Sequence, residues 1–353
     1  MTGILAAIFV FAFLIFFHEL GHFLLARMLG IGVKTFSLGF GPVLFSRVWG
    51  RTTCQVAALP LGGFVSLTGE APDEDIPEPF SAADSFSLRP AWQRLLVVAA
   101  GPVWNLALAW LLCWGLFWVN GKSEIPPVIG TILEGSPAAD SPLRSGDRVL
   151  SLNGVPVSRW EDLPRFIRRN EGRPVTFVVS AQGDDLRVFD ITPALLSGGA
   201  GEKAFTGWGI GVLPQGTVQR SLSFGQAAGA GLEQAADMVV LIWSGLADLF
   251  SGRESVKSVG GPLLIAQVVS RQAEQGLASL LLLTALISAN LGILNLLPVP
   301  VLDGGRILFL GLELLFRRPV PLAIQEKAML GGLFFLVGLM ILATFNDIVR
   351  IFS

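Results

Sequence analysis

Four stretches of this 353-residue chain are long and apolar enough to cross a lipid bilayer, and no other feature constrains its architecture as much. A helical span needs about 20 residues. Gly3 to Leu29, Leu95 to Val119, Leu277 to Leu297 and Ala328 to Phe345 meet or approach that length. The second of these holds no charged side chain. With no water in the hydrocarbon layer, every backbone N–H and C=O must be bonded within the protein, so such runs become helices. Composition agrees, with 52% hydrophobic and 15% charged residues, where soluble domains carry about 25% charge. The net charge of −2 offers no basic surface to a nucleic acid. The first run lacks a basic leading segment and a small-x-small cleavage site, so it reads as a retained helix rather than a signal peptide. The fold class expected is a polytopic α-helical membrane protein with four transmembrane helices.

Lys and Arg in the short loops set the orientation. Arg27, Lys34, Arg47, Arg51, Arg89 and Arg94 lie between spans one and two, and Arg306, Arg317, Arg318 and Lys327 between spans three and four. Those loops are therefore expected in the cytoplasm, with both termini and the long loop between spans two and three outside. The expected divisions are residues 1–30 for the first span, 31–94 for a cytoplasmic-side β-hairpin region and acidic linker, and 95–119 for the second span. A folded domain over 120–200 and a connecting strand and amphipathic helix over 201–276 follow. The third span is 277–297, a loop 298–327, and the fourth span with its tail 328–353.

The chain has two histidines, and both fall inside the first span, in His18-Glu19-Leu20-Gly21-His22. Residues i and i+4 share a helix face, so both imidazoles can reach one metal ion. Glu19 beside them can serve as general base toward a metal-bound water. Each ionisable group at membrane depth costs about 2.5–3.5 kcal/mol on insertion scales, so three together imply a use. The bland alternative is a polar cluster bonded to a neighbouring helix backbone. A catalytic zinc needs a third protein ligand, and the two cysteines, Cys54 and Cys113, are poorly placed to supply it. An acidic residue at the same depth is the candidate. Two prolines in Asn295-Leu296-Leu297-Pro298-Val299-Pro300-Val301-Leu302-Asp303-Gly304-Gly305 end the third span, and its glycines permit a tight turn. Spans one and three run the same way. His18 lies about 23 Å along the first, so it and Asp303 both fall in the cytoplasmic half of the bilayer. Alone, an Asp-Gly-Gly is more often a plain turn; facing an incomplete histidine pair, Asp303 becomes the expected third ligand.

Within the outer loop, Val128 to Leu133, Arg148 to Leu152, Val175 to Ser180 and Leu186 to Ile191 read as strands, and Trp160 to Arg169 as a helix. Asn153-Gly154 signals a hairpin turn, and Gln182 to Asp185 a second connection. The run SPLRSGDRVLSLNG resembles PDZ domains of the bacterial, circularly permuted type. That resemblance implies an extended peptide bound as an added strand; a simple spacer is the alternative. Ser221 to Phe250 has helical spacing and either lies on the membrane surface or packs on the PDZ-like domain. Val259-Gly260-Gly261-Pro262 breaks the chain before span three.

Together these residues resemble the site-2 protease family of intramembrane zinc metalloproteases, in its RseP-type branch. His18, Glu19 and His22 match its first motif, and Asn295, Pro298, Leu302, Asp303 and Gly304 its second. Gly39 to Pro42, Pro60 to Phe64, Ala100 to Pro102 and Asn105 are secondary matches. The resemblance implies Zn2+ held by His18, His22 and Asp303, with Glu19 activating water. Asn295 would hold substrate, and the edge of a membrane-associated β-hairpin over Val33 to Leu67 would pair with it. It also implies a bacterial inner-membrane protein that cleaves single-span substrates, such as anti-sigma factors or remnant signal peptides, after an outer cut. The best-known enterobacterial form has tandem PDZ domains, where only one fits here. An inert PDZ scaffold and a metal or ion transporter are the rival readings. The acidic run Glu70 to Asp84 reads as a solvated linker.

Overall fold

The computed structural model describes residues 2–70, 75–181, 185–198, 205–253 and 260–352. The chain forms two compact units, Met1–Asn120 with Ser223–Ser353, and Gly121–Leu222. Among its described residues the first contains four helices long and apolar enough to span a membrane, at Leu5–Met28, Ala91–Asn120, Leu277–Leu296 and Leu322–Arg350.

The first unit opens with helix α1 (Thr2–Met28), then strands β1 (Val33–Trp49) and β2 (Thr52–Leu67), then helix α2 (Ala91–Asn120). The expected hairpin is more folded than a simple pair. Residues 33–38 align with 63–67 on one side and, from Thr35, with 53–56 on the other. Residues 45–49 flank 52–56 in turn. Two long strands thus bend into four rungs, with 63–67 at one margin. The bends fall where Gly39 (φ 93°) and Gly41 (φ 85°) adopt backbone angles that side chains resist. Phe23, Ala26, Ile31, Val33, Leu67 and Val97 form a buried cluster that locks the rungs to α1 and α2.

The acidic linker differs from expectation at its end. Asp84 is buried in a 3₁₀ turn (Ala82–Asp84), and its carboxylate takes two bonds from Arg51, at 2.9 and 3.1 Å. A guanidinium outside the local sequence window captured a residue expected in water. Residues 71–74 of that run lie outside the described residues.

The second unit holds β3 (Lys122–Glu124), β4 (Ile129–Ile132), β5 (Arg148–Leu152), β6 (Val155–Pro156), α3 (Asp162–Arg169), β7 (Val175–Ser180), β8 (Leu186–Ile191), β9 (Ala194–Gly198), β10 (Phe205–Gly209), β11 (Val212–Pro214) and β12 (Val218–Arg220). Its central sheet has the order β6-β5-β7-β8. Asn153 (φ 49°) and Gly154 (φ 78°) make the β5–β6 turn, with the left-handed angles their sequence predicts. Phe177, Ile129, Leu152, Leu163 and Ile167 centre its core. The unit runs to Leu222 rather than to residue 200. The reason is long-range pairing: β11 pairs with β4 and β12 with β3, returning the chain to its own starting strands. The turn expected at Gln182 to Asp185 lies outside the described residues except for Asp185.

The first unit resumes with α4 (Phe224–Phe250), α5 (Pro262–Gln275), α6 (Leu277–Leu296), α7 (Asp303–Phe316) and α8 (Leu322–Phe352). Helix α4 belongs to the first unit. It packs on α2, where the Trp110 and Trp114 indole N–H groups donate to the Ala228 and Phe224 carbonyls, each at 3.1 Å. Gly231 lies so close to the Trp114 backbone that a Cβ would meet its nitrogen at 2.7 Å. Two further helices occupy stretches expected as connections. Helix α5 follows the Gly-Gly break, of which Val259 is outside the described residues, and Asp347 of α8 caps it by accepting the Gly261 and Leu264 N–H groups at 2.8 and 3.0 Å. Helix α7 grows out of the supposed loop after span three.

Candidate metal centre

The site is assembled at the crossing of α1, α2 and the start of α7. One helical turn apart, the His18 and His22 rings stand edge to face, centroids 4.9 Å apart. Their second nitrogens are held by α2. The His22 Nδ1 lies 2.8 Å from the Val97 carbonyl, to which its N–H donates. His18 Nδ1 lies 3.1 Å from the Asn105 side-chain amide. For His18 Nε2 to bind metal, Nδ1 must carry the proton and donate. Asn105 Oδ1 is buried without a hydrogen-bond partner; a half-turn of the amide, whose N and O are interchangeable by shape, lets that oxygen accept the His18 Nδ1 proton.

Asp303 begins α7, directly after the Pro298 and Pro300 turns. The chain doubles back so closely that a Cβ on Gly304 would strike Leu296 and Leu297, and one on Gly305 would strike Pro300. The Asp-Gly-Gly sequence is therefore a packing requirement that aims the carboxylate at α1. Asp303 Oδ2 lies 3.1 Å from His18 Nε2 and 3.5 Å from His22 Nε2, and the two Nε2 atoms are 3.3 Å apart. A tetrahedral zinc with ligands at 2.0–2.1 Å would set such edges at about 3.3 Å. Asp303 Oδ2 is itself buried with no hydrogen-bond partner. The triangle fits a metal ion, and the donor set of two imidazoles and one carboxylate is a zinc set. Gly101 completes the cradle, since a Cβ there would overlap the His22 ring and meet His18 Cε1 at 2.8 Å.

Glu19 and the three ligands face a cavity of about 470 Å³. Residues 63–67 of β2 form one wall, with Val97, Val301 and Arg306 opposite. Gly63 lies against Glu19: a Cβ would meet its Cγ at 3.0 Å. The Val65 N–H reaches the Glu19 carboxylate. Among the described residues no further strand covers the outer side of the 63–67 rung. Four of the five expected site residues thus meet. Asn295 does not join them: it lies half-buried on the last turn of α6, outside the cavity lining. Sequence reasoning marked Gly101 and Asn105 as secondary matches without giving either a role, and missed Val97. The signal for Asn105 was its place as a lone amide in a charge-free apolar span.

A histidine pair and a carboxylate converging between membrane-spanning helices, with a glutamate at their side, define a membrane-embedded metallopeptidase. The model for Peptidase family M50 matches residues 6–339, and the chain belongs to that family. It is 37% identical over 361 residues to the putative zinc metalloprotease Cj1068 of Campylobacter jejuni, covering 98% of this chain and 93% of the relative. It is 36% identical over 348 residues to the putative zinc metalloprotease all3971 of Nostoc, covering 96% and 93%. The regulator of sigma-W protease RasP of Bacillus subtilis aligns over 427 residues at 27% identity, covering 100% of this chain and 99% of that protein.

Proposed function

We propose that the protein is an intramembrane zinc endopeptidase that cuts the membrane-spanning segments of single-span proteins. The convergence of His18, His22 and Asp303 donor atoms within 3.1–3.5 Å of one another, beside Glu19, carries this reading. A zinc ion held by His18, His22 and Asp303 would supply Lewis-acid chemistry there, acidifying a water and polarising the scissile carbonyl. Glu19 stands where its carboxylate can take the proton from that water and later give it to the leaving amine. Val97 and Asn105 hold the two imidazoles in the tautomer that leaves Nε2 free. A helical substrate hides its carbonyls in its own hydrogen bonds, so it must unwind first. The outer side of rung 63–67 can replace those bonds with strand pairing. On the family resemblance, Asn295 contacts the arriving segment.

We place the site in the cytoplasmic half of the bilayer of a bacterial inner membrane, with both termini and the unit Gly121–Leu222 outside; the loop charges support this. We read that unit as PDZ-like and able to take an extended peptide. Substrates of the anti-sigma or remnant-signal-peptide kind, already trimmed outside, fit this arrangement. The name of the Bacillus subtilis relative, a regulator of sigma-W, supports the signalling class.

The test is zinc content and cleavage of a tethered single-span substrate, measured on the same preparations. Wild type is expected to hold about one zinc per chain and to cleave. Glu19→Gln should keep zinc and lose cleavage, and Asp303→Ala should lose or loosen zinc. A Glu19→Gln variant with full activity would remove the general-base role, and zinc unaffected by Asp303→Ala would remove the third ligand.

A further inference from the structure

The catalytic cavity has a larger neighbour of about 670 Å³, between the N-terminal turn of α2, helix α7 and the start of α8. The two share Glu70, Phe86, Val98 and Arg306 as a common wall. Their chemistry differs. The catalytic cavity is ringed by imidazoles and carboxylates, whereas Phe309, Leu310, Leu322 and Met329 line its neighbour. Several polar groups there are already engaged. Arg94 is ion-paired with Glu313 across α2 and α7, and the Gln325 amide donates to the Val320 carbonyl at 2.7 Å. Arg306 and Glu70 pair with each other at 3.8 Å, and Ser87 and Glu326 add polar edges, so the chamber is mostly but not wholly apolar, of the size that accepts small ligands and side chains.

We propose that this chamber is a specificity subsite, taking a bulky apolar side chain of the unwound substrate on the N-terminal side of the scissile bond. The inference rests on the peptidase reading above. Strand direction supplies the position. Rung 63–67 starts at Gly63, against Glu19, and ends at Leu67. Just past its end the Phe86 N–H donates to the Thr68 carbonyl at 2.8 Å, so Phe86, with Glu70 close by in sequence, brings part of the shared wall to the Leu67 end. A substrate pairing antiparallel to this rung lays its N-terminal residues at that end. Four residues of strand cover about 13 Å, so the side chain that enters lies roughly four positions before the cut. The occupant is substrate rather than lipid because four residues, Glu70, Phe86, Val98 and Arg306, face both the chamber and the cavity that holds the scissile bond.

The experiment uses the full chain in nanodiscs of two lipid acyl-chain lengths, with a single-span substrate carrying Phe, Trp or Ala at each position from two to six before the cut. Wild type is compared with Met329→Trp, which fills the chamber, and Met329→Ala, which widens it. Zinc content reports the integrity of each preparation. Wild type should prefer Phe to Ala at one position near the fourth by about tenfold or more in kcat/KM, the discrimination an apolar pocket supplies. Met329→Trp should collapse that ratio, and Met329→Ala should move the preference from Phe toward Trp. A flat profile, a preference confined to the C-terminal flank, or ratios unchanged in both variants would overturn the subsite while leaving the peptidase reading standing. Ratios that follow lipid acyl-chain length instead would assign the chamber to lipid. Zinc-loaded wild type that cleaves none of these substrates would overturn the peptidase reading, and the subsite with it.

Discussion

The His18–Asn105 contact, at 3.1 Å, makes a single amide an expected determinant of metal affinity. If Asn105 Oδ1 accepts the His18 Nδ1 proton, Asn105→Ala leaves that imidazole free to adopt the tautomer that cannot bind through Nε2. Zinc affinity is expected to fall 10- to 100-fold, the usual cost of losing such an outer partner, and competition with a chelator measures it. Retention of wild-type affinity would refute the assignment. Sequence alone made part of this site legible. His18 and His22 announce themselves because a helix puts i and i+4 on one face. Asp303 is found only by asking which acidic residue returns to the same depth. Val97 acts through its carbonyl, which every residue type carries, so no sequence pattern marks it. The role of Gly101 is legible only once α1 and α2 are placed together.

Rung 63–67 works because nothing separates it from α1. A Cβ on Gly63 would meet the Ser37 carbonyl at 2.9 Å and Glu19 and Ile15 at 3.0 Å each. Gly63→Ala must push the rung outward or swing Glu19 aside, so cleavage should fall at least about tenfold while zinc content, read by metal analysis, stays near wild type. Farther along, the Arg51 guanidinium beside Asp84 holds its carboxyl at about 2, below the usual 3.8. A carboxyl depressed in the folded state stabilises only while ionised. The contribution of this pair is therefore complete above pH 3.8 and lost as pH falls through about 2. Hydrogen exchange at residues 81–85 should quicken across that window, and Asp84→Asn should remove the dependence. At this scale apolar length made the four spans plain, to within several residues. Helix α7 was hidden because its prolines and glycines look like loop, although ILFLGLELLF is apolar enough to pack on α2. The four-rung sheet was hidden because its register depends on bends at Gly39 and Gly41 rather than on alternation.

Across the whole chain, the loop charges and the membrane helices together specify an orientation. In a variant lacking Cys54 and Cys113, a cysteine at Gly154 should react with a membrane-impermeant maleimide added outside intact cells, and one at Arg318 only after the membrane is opened. The opposite pattern would invert the proposed topology and move the metal site to the outer half of the bilayer. The extent of the second unit was the least legible feature, since β11 and β12 find partners some 80 to 100 positions earlier in the chain, by the pairs Val212 with Ile132 and Val218 with Glu124. That pairing has an evolutionary consequence. The unit starts on β3 and finishes on β12, and these are adjacent strands. A module whose two ends meet can be spliced into a chain, duplicated in tandem or excised by recombination, while the host needs only to rejoin neighbouring points. Lineages can thus gain, lose or exchange this unit without redesigning the elements that bring His18, His22 and Asp303 together.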